Sequence, residues 1–146
     1  MSHAHDIDVL NDITKTLIDS HQGYATCVEA VGNHALTKNF QDRADARRDL
    51  VNEFQQAVSD LGGTPETGGS VVGAAHRAWT QFTTLFADDE KAAIEAVDDG
   101  EEFLAEKIED KLGDSRLQPA TRDLLTRAHQ SAREGERFAD ALDKAL

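Results

Sequence analysis

Arg47 and Glu101 are the side chains whose type and position could organise chemistry at the centre of this chain. Arg47 is the lone cation in a stripe at 4-3 spacing, Phe40, Ala44, Arg47, Val51, Phe54, Val58 and Leu61. Glu101 holds the equivalent middle place among Ile94, Val97, Leu104 and Ile108. Apolar residues that recur every three or four positions mark the buried face of a helix, so a guanidinium and a carboxylate are both predicted to point inward. Burying either charge alone costs several kcal/mol, which makes a pair the expected arrangement, with His21 or Tyr24 completing its hydrogen bonds. Counted from the turns, His21, Arg47, Glu101 and Ser131 fall at one level. The expectation is a central polar layer of Arg47, Glu101, His21 and Tyr24. The competing reading has Arg47 reaching outward along its aliphatic stem and Glu101 on a solvated flank.

The same layer is where a helical bundle would hold a pair of metal ions. Such a centre takes one Glu from each of two helices and a Glu-x-x-His from each of the other two. No Glu-x-x-His occurs in the chain, and a fixed guanidinium repels cations. If a metal were bound, Glu101, Glu134, His129 and His21 would be its ligands, but Glu134 and Glu136 are two apart and point to different faces. No cofactor is therefore expected. Cys27 lies on an apolar stripe and reads as a small buried hydrophobe, and no Ser-His-Asp or Cys-His pairing is visible by spacing. Gly62-Gly63 and Gly68-Gly69 lack the following Gly-Lys-Ser or Gly-Lys-Thr of a phosphate loop and read as turns. His76 and Trp79 read as an anchor for a connecting segment before a ligand lip. His3 and His5 near an amino terminus could take copper or nickel adventitiously. A small-ligand site beside Gly135 would need an enclosed apolar cavity.

The elements that must position these residues are long helices. Periodicity and breakers predict helices over about 6–31, 37–61, 88–112 and 119–145, in a single domain covering 1–146. Gly32-Asn33 stops the first. Thr37 offers a hydroxyl cap to the second, which ends at Gly62-Gly63, where a left-handed residue is cheap. Gly113 stops the third, and Pro119 opens the fourth, where a missing amide is harmless. Residues 62–87 read as a crossover whose segment Val71–Phe86 forms a short helix. Helices of about 26 residues are roughly 39 Å long, and a connection of this length can traverse them. The predicted class is all-α, a ferritin-like antiparallel four-helix bundle with a long crossover between helices two and three.

Asp19-x4-Tyr24, Arg47-x5-Glu53, Leu61-Gly62-Gly63-x-Pro65, Gly69-Ser70-x5-His76-Arg77-x-Trp79 and Gly100-Glu101 together resemble an uncharacterised bacterial family of four-helix-bundle proteins grouped with the ferritin-like folds. The most specific part runs from Leu61 to Trp79. The resemblance implies fold more than function. The chain departs from the family pattern before the helix-one tyrosine, where it has His21 and Gln22 instead of an acid, and in helix four, where Glu136 stands in place of a histidine.

Composition narrows the partners. Lys plus Arg number 15 against 28 Asp plus Glu, a formal charge of −13 that opposes approach to a phosphate backbone, so nucleic acid is not an expected partner. No apolar run approaches the roughly 20 residues that span a bilayer, and the first residues lack the basic and apolar regions of a signal peptide, which points to no membrane and to the cytoplasm. The single Cys27 cannot form an internal disulfide. The expected function is that of a non-catalytic soluble bundle acting through protein contacts, stress-associated by analogy. The alternative is a metal-binding ferritin-like oxidoreductase with an atypical centre. Phe103 and Phe138, placed off the main seams, together with a small-residue stripe Ala128, Ala132, Gly135 and Ala139, suit a homodimer, and an unidentified protein is the other expected partner.

Overall fold

The computed structural model describes residues 3–30, 34–68 and 90–145. Its elements are α1 (Ala4–Ala30), α2 (His34–Asp60), α3 (Glu90–Leu112) and α4 (Pro119–Ala145), with no strand among the described residues. The segment Val71–Phe86, with His76 and Trp79, and the Gly32-Asn33 turn lie outside the described residues.

Side-chain partners fix how the helices lie. His21 meets Ala44, and Asn11 meets Thr64, so α1 and α2 run antiparallel. Lys107 meets Asp12 while Ser20 meets Glu101, which sets α3 antiparallel to α1. Glu53 meets Arg127 and Arg47 meets Ser131, which sets α4 antiparallel to α2. It follows that α2 and α3 are parallel and face each other across a diagonal. α2 ends where α1 begins, at Gly63 against Ile7, whereas α3 begins at the other end, where Lys91 pairs with Asp143 near the end of α4.

The apolar stripes bury as their spacing requires. Leu10, Ile13 and Leu17 of α1, Phe54 and Val58 of α2, Leu104 and Ile108 of α3, and Leu125 and Ala128 of α4 are all fully buried in one cluster. A second cluster holds Tyr24, Cys27, Phe40 and Ala44, with Val97, Phe138 and Leu142 packed on it. Phe138 meets Phe40 edge to face at 5.4 Å between ring centres, so this aromatic is not the free surface residue its off-seam position suggested. Phe103 is, at 60 % exposure. The small stripe of α4, Ala128, Ala132, Gly135 and Ala139, is buried and faces the core instead of a second copy.

The helix ends have local causes. Gly62 takes φ +88°, its amide donates to Ser59 and that of Gly63 donates to Val58, the pairing that closes a helix on a left-handed residue. α2 starts at His34, so Thr37 lies within its first turn instead of capping it; Ala35 and Leu36 are good helix formers and carry the helix back. α4 starts at Pro119, and the free amide of Gln118 before it is bound by Asp6 of α1.

Candidate functional site

The stripes of α2 and α3 bring their single charges together across the bundle diagonal. Arg47 and Glu101 are 0 % and 2 % exposed. The guanidinium grips the carboxylate with two parallel hydrogen bonds of 2.7 Å, Nη1 to Oε1 and Nη2 to Oε2. This fork is the strong geometry for an arginine and a carboxylate, and it overturns the reading in which either side chain is solvated.

Four further side chains close around the pair. The Tyr24 hydroxyl donates to Glu101 Oε2 at 3.0 Å. Ser20 donates to Oε1 at 3.4 Å and accepts a hydrogen bond from Arg47 Nη1. Ser131 Oγ of α4 stands 3.4 Å from Arg47 Nη2. Arg43, one turn before Arg47, donates to the Ser131 carbonyl at 2.9 Å, and its Nη2 lies 3.7 Å from Glu101 Oε2. Both guanidinium carbons sit over the Tyr24 ring, at 5.8 Å for Arg43 and 5.6 Å for Arg47. The layer separates the two apolar clusters, since Leu17, Val51 and Leu104 lie on one side and Tyr24, Phe40 and Val97 on the other.

Room for the carboxylate comes from α4. A Cβ at Gly135 would fall 1.7 Å from Glu101 Oε2 and 2.6 Å from its Cδ. The space beside Gly135, which the sequence suggests for a small ligand, is filled by Glu101 itself.

Electrostatics follow from burial and pairing. Burial disfavours the Arg47 charge, but the hydrogen bonds and charge of Glu101 outweigh it and raise the guanidinium above its ordinary value. Burial, and then the Glu101 carboxylate, push the Tyr24 phenol well above its ordinary range. Burial alone pushes the Cys27 thiol up to about 12, which leaves it a protonated hydrophobe instead of a nucleophile.

Of the four residues expected in the layer, Arg47, Glu101 and Tyr24 meet directly. His21 stands beside the layer, its Nδ1 2.9 Å from the Ala44 carbonyl. The set Glu101, Glu134, His129 and His21 does not converge: Glu134 is exposed, and His129 Nε2 lies 3.4 Å from Glu109 on the α3–α4 flank. Helical phase explains the miss, because three of these residues leave the core stripe within a turn of it. Glu136 is held by Arg133 at 2.6 Å. No group of three or more His, Cys, Asp or Glu among the described residues is placed to hold a metal ion. Sequence reasoning missed Ser20 and Arg43, and it read the space beside Gly135 as a ligand's instead of Glu101's. Only Arg43 had a visible signal, one turn before Arg47 on nearly the same face.

No curated protein matches the chain. Residues 5–114 carry α1, α2 and α3, and with them Ser20, Tyr24, Arg47 and Glu101, while Ser131 and Gly135 lie beyond. That stretch matches the family model described as Domain of unknown function (DUF2383), and the chain belongs to that family.

Proposed function

We propose that this protein is a non-catalytic helical-bundle protein that acts through contacts with other proteins, its polar centre serving to hold the helices in register. One observation carries this reading: the carboxylate at the bundle centre is already gripped at both oxygens by Arg47 and covered by Tyr24 and Ser20. A metal-dependent oxidation centre would first have to displace Arg47 from Glu101. What remains for function is the outer surface, where Phe103 stands out. A homodimer through Phe103 is the simplest such contact. Sedimentation equilibrium tests it: wild type should self-associate and Phe103→Ser should shift to monomer with unchanged helix content, whereas a strictly monomeric wild type at high concentration overturns the dimer.

The same reading takes the connection between α2 and α3 as a ferritin-like crossover carrying a short helix. It is supported by parallel α2 and α3 whose adjoining ends lie at opposite ends of the bundle, and by turn residues followed by the apolar period of Val71–Phe86. A stress-associated setting in a bacterium rests on the resemblance alone, and a cytoplasmic one on the lack of an apolar run long enough to span a bilayer. Elemental analysis of untagged protein separates this reading from the metal-dependent one. About two iron or manganese ions per chain, lost in Glu101→Ala, would replace it.

A further inference from the structure

A cavity of about 260 Å³ opens between α1 and α3, beside the polar layer and distinct from the filled space at Gly135. Val97 and Phe103 give it an apolar wall, Gly23 opens it on the α1 side, and Ser20, Tyr24 and Glu101 form its floor. That floor makes no polar demand. Each Glu101 oxygen already accepts two hydrogen bonds, from Arg47 and Ser20 at Oε1 and from Arg47 and Tyr24 at Oε2, and Ser20 also accepts from Arg47. An occupant facing the floor must be apolar, since a polar group buried there finds no free partner. The volume is about that of nine waters at roughly 30 Å³ each, room for a bicyclic ring.

The course of the chain says where such a ring comes from. The end of α2 is drawn onto α1: Gly63 lies against Ile7, and Asn11 donates to the Thr64 carbonyl and accepts from the Glu66 amide. α3 starts at Glu90, at the other end of the bundle. Asn11 lies nine residues before Ser20 and Glu90 eleven before Glu101, so residues 67–89 must climb roughly 30 Å on the α1 side and pass the polar layer about half way. Within them Val72, Ala75, Trp79, Phe82 and Phe86 recur every three or four positions as one apolar stripe, and Trp79 stands next to the midpoint. Residues 69–87 contain no Asp or Glu in a chain that has 28, so laying them beside Asp19 at the cavity adds no like-charge repulsion.

We infer that the α1–α3 cavity is the docking site of the chain's own crossover, with the Trp79 indole seated against Gly23 over the saturated floor. The inference rests on the reading of residues 62–87 as a crossover that carries a helix. A segment tethered at both ends beside the groove outcompetes a second copy, because its effective concentration there is high. The indole covers the floor, and Phe103 at the outer wall remains for a second copy.

Trp79 is the single tryptophan of the chain, so its fluorescence reports the docking alone. In the native chain its emission should be blue-shifted from that in urea, quenched by acrylamide several-fold less, and unchanged on dilution to monomer. Nuclear Overhauser contacts should join the indole to Gly23 and Val97. Gly23→Leu fills the cavity from α1, where leucine is also the better helix former, and should shift the emission to the red and restore quenching while the four helices remain. If that variant misfolds, the wild-type Overhauser contacts decide. Backbone chemical shifts of residues 71–86 separate the two readings: helical shifts with a water-exposed indole overturn the docking alone, and non-helical shifts overturn the crossover helix and the docking with it. Blue emission lost on dilution would give the groove to a second copy, and unchanged emission in folded Gly23→Leu would put the indole elsewhere; either result overturns the assignment.

Discussion

The Arg47–Glu101 fork is tight, yet removing one partner should cost far more than replacing both. Arg47→Met leaves a buried carboxylate without its cation, and Glu101→Leu leaves a buried guanidinium without its anion. Each should lower unfolding free energy by about 3–5 kcal/mol. The double variant should lose far less than the sum, because taking two charges out of water consumes most of what their attraction returns. A double-mutant cycle by urea unfolding measures this, and additive losses would show the pair to be uncoupled. Gly135→Ala gives a second test. In an ordinary helix, alanine for glycine stabilises by about 1 kcal/mol. Here the new methyl falls on the Glu101 carboxylate, and a net loss of about 1–3 kcal/mol is expected. In a Glu101→Ala background the same substitution should become neutral or stabilising.

At the scale of elements, the helix ends are held partly by their own chain and partly by neighbours. Gly62 caps α2 in the left-handed region with nothing within 4 Å of an added Cβ. Gly62→Ala therefore isolates backbone strain from packing, and should cost about 1 kcal/mol in thermal or urea unfolding. Gly63 differs, because its added Cβ would approach Ile7 to 2.8 Å, so Gly63→Ala should cost more than Gly62→Ala. The loop beyond is pinned by Asn11, which accepts from the Glu66 amide and donates to the Thr64 carbonyl, and by Gln55, which donates to Glu66. The start of α4 depends on α1: the buried Asp6 carboxylate accepts from the Gln118 amide and from the Thr121 hydroxyl at 2.7 Å. These links tie the hairpins α1–α2 and α3–α4 at one end, while the polar layer ties them at mid-height.

For the whole molecule, the raised phenol of Tyr24 predicts how folding responds to alkali. In the folded state this group keeps its proton well above the ordinary value of 10, whereas the unfolded chain releases it there. The stabilising contribution is complete below about pH 10 and declines as pH rises past it toward the folded value. Tyr24 is the single tyrosine of the chain, so tyrosinate absorbance reports it alone. That absorbance should appear together with loss of helical circular dichroism, and Tyr24→Phe should soften the alkaline decline. Ionisation near pH 10 with helices intact would contradict the buried hydrogen bond to Glu101.

Helix identity was written in the chain because it depends on near neighbours. The 4-3 stripes of Phe40–Leu61 and Ile94–Ile108, the glycines after α2 and Pro119 before α4 act within a few residues, and they set which faces turn inward. The meeting of Arg47 and Glu101 could be anticipated for the same reason: a lone charge on each of two buried faces requires a partner. What completes the layer was decided by tertiary packing. Counting from the turns put Ser131 at the right level, but Ser20 is an ordinary helix residue until Arg47, twenty-seven positions away, reaches it, and Gly135 shows its purpose only where Glu101 enters the space its missing Cβ leaves. The Asp6 cap on α4 and the cavity beside Phe103 likewise arise from how helices settle against one another. Local spacing carries no record of that, because counting from the turns gives approximate heights along each helix but not the rotation at which two helices meet.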